Sequence, residues 1–225
     1  LPVERLQANT TTIFRLPLEV FPQYIAYAHL LVYEGTITLI DTGSGFGSSL
    51  SDLMSGFEVV RNNFNVPAHI ENLDKIIISH GHIDHFGGVR QVKDIALKAS
   101  VIAHELTRPV LTNFDERLIV SSKNMSSFLL RAGVPAERRK PLMEMYLLGK
   151  KSFSSTPVDI TVSDGEILDG GLKIIHVPGH EAGHIMILVG DVLLTSDHIL
   201  PHTSVALSPE SLMPFTGVAH YIDSL

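Results

Sequence analysis

The apolar and polar positions of this chain follow two rhythms. Ile25 to Tyr33 is apolar and aromatic, Gly35 supplies a turn, and Thr36-Ile37-Thr38-Leu39-Ile40 alternates polar with apolar. This pattern predicts an antiparallel hairpin that ends at Asp41-Thr42-Gly43. From Ser48 the period lengthens: Leu50, Leu53, Met54, Phe57, Val60 and Phe64 recur at helical spacing, with Ser48 or Ser49 as N-cap, which predicts an amphipathic helix. Lys75-Ile76-Ile77-Ile78-Ser79 is a short β-branched run of the kind that forms a buried strand. Gly87-Gly88 then leads into a helix expected to reach about Lys98, and Ser100 to Ala103 forms the next strand.

From about Glu105 to Lys151 the strand alternation stops. Phe128-Leu129-Leu130 and Leu142-Met143-Met145-Tyr146-Leu147 suggest two helices broken at Gly133-Val134-Pro135, a helical insertion over residues 105–151. Strands resume at Val158 to Val162, Glu166 to Leu168, Leu172 to Val177, Ile185 to Val189 and Val192 to Thr195. Asp164-Gly165, Gly170-Gly171 and Gly190-Asp191 separate them. The succession predicts a layered α/β domain, without internal repeats.

Composition narrows the function. A chain of 225 residues with 44% hydrophobic content supports one domain, residues 1–225. With 17 basic against 24 acidic residues the net charge is −7, which opposes the positive footprint of nucleic-acid binding, so no nucleic-acid partner is expected. The chain has no cysteine, so a metal would have to use nitrogen and oxygen ligands. Leu1-Pro2-Val3-Glu4-Arg5 lacks the layout of a signal peptide and no long apolar run occurs, so the expectation is a cytoplasmic protein with no membrane partner.

The 12 histidines are informative because several cluster. His80-Gly81-His82-Ile83-Asp84-His85 begins one residue after the Lys75–Ser79 strand and places four metal-binding side chains within six residues. A single ion can hardly use all four from so tight a turn, which favours two neighbouring ions. His180, His184 and Asp197 lie at later strand ends and are further candidates. His184 is balanced between supporting the ligands and ordinary packing. His29, His69, His104, His176, His198 and His202 are isolated, as ordinary histidines near surfaces are.

Taken in order, Asp41-Thr42-Gly43, His80-x-His82-x-Asp84-His85, Pro178-Gly179-His180 and Ser196-Asp197 resemble the metallo-β-lactamase superfamily, and within it the glyoxalase II-like hydrolases. The resemblance implies a four-layer αβ/βα sandwich. It implies that His80, His82 and His180 hold a first metal, that Asp84 and His85 hold a second, that Asp197 bridges both, and that Asp41 orients an imidazole. The family usually draws a last histidine for the second metal from a loop well beyond the bridging aspartate. Here His198, His202 and His220 are the histidines that follow Asp197, and His220 reads as the start of a helix, so the chain is expected to lack a carboxy-terminal portion.

The implied activity is hydrolysis of a small ester-like bond, a thioester, lactone or related acyl group, by a metal-bound hydroxide. It would need two divalent ions, zinc before manganese or iron, and Asp84 would act as the catalytic carboxylate. The insertion is expected to cover the site and present Met125, Phe128, Met143 or Tyr146 to an apolar substrate, or else to pack between helices or against a second subunit of a homodimer. Phosphodiester cleavage, iron-dependent redox chemistry and a degenerate metal-binding role are the competing readings.

Overall fold

The computed structural model describes residues 1–147, 150 and 153–225. Its first sheet has seven strands in chain order: β1 (Glu4–Ala8), β2 (Thr11–Phe21), β3 (Tyr24–Tyr33), β4 (Thr36–Ile40), β5 (Lys75–Ile78), β6 (Ser100–His104) and β7 (Ile160–Val162). The first four pair antiparallel, and β4 to β7 run parallel. A second, antiparallel sheet is ordered β11 (Val192–Leu194), β10 (Ile185–Val189), β9 (Leu172–His176) and β8 (Ile167–Leu168).

The period of two along each strand divides the core in two. Phe14, Leu16, Leu18, Leu39, Ile76 and Ile78 point to one face of the first sheet. There they pack with Leu53, Phe57 and Val60 of α1 (Ser49–Phe64) and with Val89 and Val92 of α3 (Val89–Ile95). Ile13, Leu31, Ile40, Ile77 and Ile102 point to the other face and meet Leu172, Ile174, Ile185 and Ile187 of the second sheet. β5 supplies both layers, which is why its sequence is apolar without alternation. The mixed α/β fold of two facing sheets with helices agrees with the expected class.

The predicted hairpin, α1, β5 and the five later strands all form, each within one or two residues of its expected bounds. Three local expectations change. Ser48 holds the N-cap position of α1, but its hydroxyl bonds Asp52 Oδ2 at 3.1 Å instead of a backbone N–H. The helix expected after Gly87-Gly88 ends at Ile95, and a separate short turn, α2 (Ile83–Phe86), lies inside the histidine cluster. β1 and β2 are additions to the predicted strands; β2 places Phe14, Leu16, Leu18 and Val20 on the helix-facing side.

Between β6 and β7 the chain forms α4 (Arg108–Thr112), α5 (Phe114–Arg131) and α6 (Ala136–Leu147). The break between α5 and α6 falls at Gly133, whose φ of +72° suits glycine. Residues 148, 149 and 151 of the expected insertion lie outside the described residues. Among the described residues no helix is long and apolar enough to cross a membrane.

β4, β5 and β6 end on one edge of the first sheet, and the loops after β9 and β11 come to the same edge. Gly88 anchors that edge: its N–H donates to Gly43 O, and a Cβ on it would stand 2.6 Å from Thr42 O. Gly88→Ala is therefore expected to cost about 1–3 kcal/mol through backbone displacement. Urea unfolding checks this, and an unchanged midpoint would contradict it.

Candidate metal centre

The site is assembled from strand ends. β4 delivers Asp41, β5 delivers Ser79 and His80, and the turn through α2 carries His82, Asp84 and His85. The loop after β9 carries His180, and the turn after β11 carries Asp197. All six ligand candidates come to one place. His80 Nε2 lies 3.1 Å from His82 Nδ1, which lies 2.8 Å from His180 Nε2. His85 Nε2 stands 3.4 Å from Asp197 Oδ1 and 3.8 Å from Asp84 Oδ2, and His180 Nε2 stands 3.6 Å from Asp197 Oδ2. Among the described residues, two sets have ligand atoms mutually within 4.8 Å: His80, His82 and His180, and His80, His85 and Asp197. Asp84 borders the second set.

Hydrogen bonds behind the rings determine which nitrogens face inward. The Asp41 carboxylate accepts from the Ser79 N–H at 2.8 Å, the Ser79 hydroxyl at 2.7 Å and His85 Nδ1–H at 2.8 Å. With its proton committed to Asp41, the Ser79 oxygen accepts from His80 Nδ1–H at 3.0 Å. His180 Nδ1–H donates to Ala206 O at 2.7 Å. His80 and His180 therefore turn bare Nε2 lone pairs toward the centre, and His85 points its Nε2 there too, buried without a hydrogen-bond partner. Lone pairs crowded at about 3 Å repel one another, whereas a divalent cation would satisfy them together. This nitrogen and carboxylate donor set suits a zinc-type ion.

Burial, followed by the neighbouring imidazoles, holds His80 well below the usual histidine range and brings His82 down to about 3. Burial also lowers His180 and His184. For His85 burial acts in the same direction, but Asp41, Asp197 and Asp84 outweigh it and raise the group well above its ordinary value. A proton on His85 Nε2 thus occupies the position where a cation would sit. Burial raises Asp84, while His85 and the other imidazoles bring Asp197 below the ordinary carboxylate value despite burial.

Two contributors lay outside the sequence reading. Glu181, buried next to His180, accepts from the Gly183 N–H at 2.8 Å and from the Thr107 hydroxyl at 3.3 Å, and it is also bonded by the Gly81 backbone. It ties the histidine turn to the β6–α4 loop and to the loop after β9. A carboxylate adjoining a candidate ligand was the one signal for it. The carboxy-terminal segment braces the His180 loop: Gly217 N–H donates to Gly179 O, the Ser224 hydroxyl to Pro178 O, and the Tyr221 hydroxyl to His198 O.

The undecided histidines also separate. His184 is fully buried, its ring centroid 4.5 Å from that of His80, which gives it a packing role behind the ligands. His198 is buried between His184 and Tyr221. His220 lies on the short helix α7 (Val218–Asp223) and bonds Glu210 at 3.0 Å, and His202 is exposed. None of these last three joins either metal-compatible set among the described residues.

The site forms the floor of a cavity of about 960 Å³, lined there by Gly81, His82, Asp84, His180 and Glu181. Its walls come from the end of β2 (Phe21), the β4–α1 loop (Phe46), α5 (Phe114, Met125) and the carboxy-terminal segment (Leu212, Met213). Met125 and Tyr146 face it as expected. Phe128 and Met143 do not line it and sit half-buried on α5 and α6, while Met145 takes a lining position.

Comparison with known proteins agrees with this architecture. A metallo-beta-lactamase fold-containing protein of Sulfurisphaera tokodaii is 26% identical over 214 residues, covering 93% of this chain and 69% of its own. A metallo-beta-lactamase family protein from Thermus thermophilus superposes with a TM-score of 0.72 at 20% identity, over 94% of this chain and 67% of the other. The FEZ-1 metallo-beta-lactamase from Legionella gormanii gives 0.61 at 16% identity, over 100% and 73%. The metallo-beta-lactamase superfamily model matches residues 22–225, so nearly the whole chain is accounted for and the protein belongs to that superfamily.

Proposed function

We propose that the chain is a metal-dependent hydrolase that cleaves an ester-like acyl bond, a thioester, lactone or close relative, at a centre of two divalent ions. The observation that carries this reading is the convergence of the bare His80 and His180 Nε2 atoms on His82 Nδ1 beside His85 and Asp197, at the floor of an apolar cavity. His80, His82 and His180 would hold one ion and His85 with Asp84 the other, with Asp197 between them. Zinc is the first candidate for this donor set, followed by manganese and iron. Bound there, the ions supply Lewis-acid activation of water and of the scissile carbonyl. The glyoxalase II-like branch rests on the order of the sequence motifs.

The chain's own residues have separable tasks. Asp41 and Ser79 fix the tautomers of His85 and His80, and Ala206 O fixes that of His180. Asp84 lines the cavity floor, where it would orient the attacking water and receive its proton. The apolar walls exclude bulk water and give an acyl chain a surface to lie on.

A panel of chromogenic ester, lactone, thioester and phosphodiester substrates tests the reaction class. Turnover of the acyl substrates that is abolished by a chelator and restored by zinc or manganese is expected. Asp84→Ala is expected to lower kcat about 10²–10⁴-fold while the thermal midpoint stays close to the parent's. Phosphodiester turnover alone, or a fully active Asp84→Ala enzyme, would contradict the proposal.

The sign of the pH dependence follows from the same groups. His80, His82, His180 and His184 have folded pKa values depressed below the value of about 6.5 expected in the unfolded chain. Below about pH 6.5 the unfolded state takes up protons that the folded state refuses, so their contribution is present above that pH and falls away as pH drops toward about 3. His85, with its pKa raised, acts in the opposite sense: its contribution is present at low pH and is lost as pH rises through its folded value. His29, His104 and His198 are lowered as well, so the depressed imidazoles outnumber His85 and the thermal midpoint of the metal-free chain is expected to fall between pH 7 and pH 5. Ligand protonation would release metal over the same interval. A midpoint that is flat or rises on acidification would contradict this.

A further inference from the structure

The cavity walls are mostly apolar, with a few neutral polar residues such as Asn124 and Ser208, and they carry two cations. Lys150 is half-buried, with its ammonium 3.4 Å from the centroid of the Tyr146 ring, and Arg117 stands on the exposed face of α5; both line the cavity. Neither has a carboxylate within 4 Å among the described residues. Both line the same cavity as His82, Asp84, His180 and Glu181. They therefore sit within electrostatic reach of the metal centre.

The wider charge distribution has the same polarity. Nine of the chain's 17 lysines and arginines fall within residues 105–151, against five of its 24 acidic residues. A protein of net charge −7 thus carries a net positive segment, and that segment supplies the two cations that line the cavity. Acidic groups elsewhere would repel an anion, and this segment offers it one attractive approach.

We propose, building on the hydrolase reading above, that the substrate is an amphipathic acyl compound with one negative charge a few bonds from the scissile carbonyl. The acyl chain would lie against Phe21, Phe46, Phe114, Met125, Leu212 and Met213, and the charge would face Lys150 and Arg117. A cavity of about 960 Å³ is at the upper end of the range for small-molecule sites and suits a chain of this kind. Arg117 can engage a planar anion through two N–H groups, and Lys150 acts as a point charge whose ammonium rests on the Tyr146 ring. In the reaction, water adds across the acyl bond: its oxygen joins the carbonyl carbon, the bond to the leaving group breaks, and the leaving group departs with a proton.

Two matched ligand pairs test the proposal on the protein as purified. Calorimetric binding of N-dodecanoyltaurine is compared with that of N-dodecanoylethanolamine; the sulfonate is a poor ligand for zinc-type ions, so a preference for it reports on the cations. Binding at least tenfold tighter for the sulfonate is expected. Lys150→Met and Arg117→Met should each reduce that preference, and rising salt should shrink it. Equal affinities for the two ligands, or an undiminished preference in both folded variants, would overturn the inference. Hydrolysis of S-dodecanoyl thioglycolate is compared in parallel with that of S-dodecanoyl thioglycolamide. Turnover of both at equal kcat/KM overturns the anion preference and leaves the hydrolase reading standing. Sulfonate preference without turnover of either overturns the hydrolase reading and leaves the anion site standing.

Discussion

The Asp41 carboxylate is the constraint on which the site depends. It is buried at 3% exposure at the end of β4, on a residue whose φ of +62° is uncommon for a side chain larger than glycine. Its three donors come from the end of the neighbouring strand and from the helical turn beyond it: the Ser79 backbone, the Ser79 hydroxyl and His85. One side chain thereby locks the spacing of β4 and β5, the direction of the Ser79 proton, and through that proton the tautomer of His80. Its backbone N–H also donates to Ile77 O at 2.9 Å, so the unusual conformation is held from both ends. A buried carboxylate costs several kcal/mol to desolvate, and hydrogen bonds from well-placed donors offset that cost. The inward-facing lone pairs follow from this arrangement.

The rest of the fold brings the other half of the centre to meet this half. Ile40, Ile77 and Ile102 pack against Leu172, Ile174, Ile185 and Ile187, and this inter-sheet core sets the distance between the edge bearing His80 and the loops bearing His180 and Asp197. Cross-links complete the junction: Ile185 N–H donates to Ser79 O, the Ser79 hydroxyl oxygen lies 2.9 Å from that of Ser196, and Glu181 joins three loops. The insertion performs a different task. α6 has no buried residue, and Phe114 alone is buried on α5, so these helices contribute little core and mainly enclose the cavity.

The sequence disclosed the parts of this design that have a local signature. The triple isoleucine of β5, the alternation of β4 and the density of His80 to His85 each express a constraint within a few residues, and each predicted its element or its place in the site. β1 and β2 were harder to read. β2 carries Arg15, Pro17 and Glu19 between its buried residues, and its pairing with β3 shifts register between Glu19 and Phe21. The bonds of Glu181 to Thr107 and Gly81 and those of the carboxy-terminal brace are non-local: these partners lie far away in the chain, and no spacing announces them. The same is true of the cavity wall. The sequence offered Met125, Phe128, Met143 and Tyr146 without choosing among them, and the path of α5 and α6 decided that Met125 and Tyr146, joined by Met145, face the opening.

The most direct test of the proposed centre is the metal content of the folded chain, measured by elemental mass spectrometry on protein purified without added metal and checked for native secondary structure. Two equivalents of a zinc-type ion per chain are predicted, because both ligand sets are held open by buried hydrogen bonds that exist before the metal arrives. A well-folded chain that carries one ion or none would contradict the account.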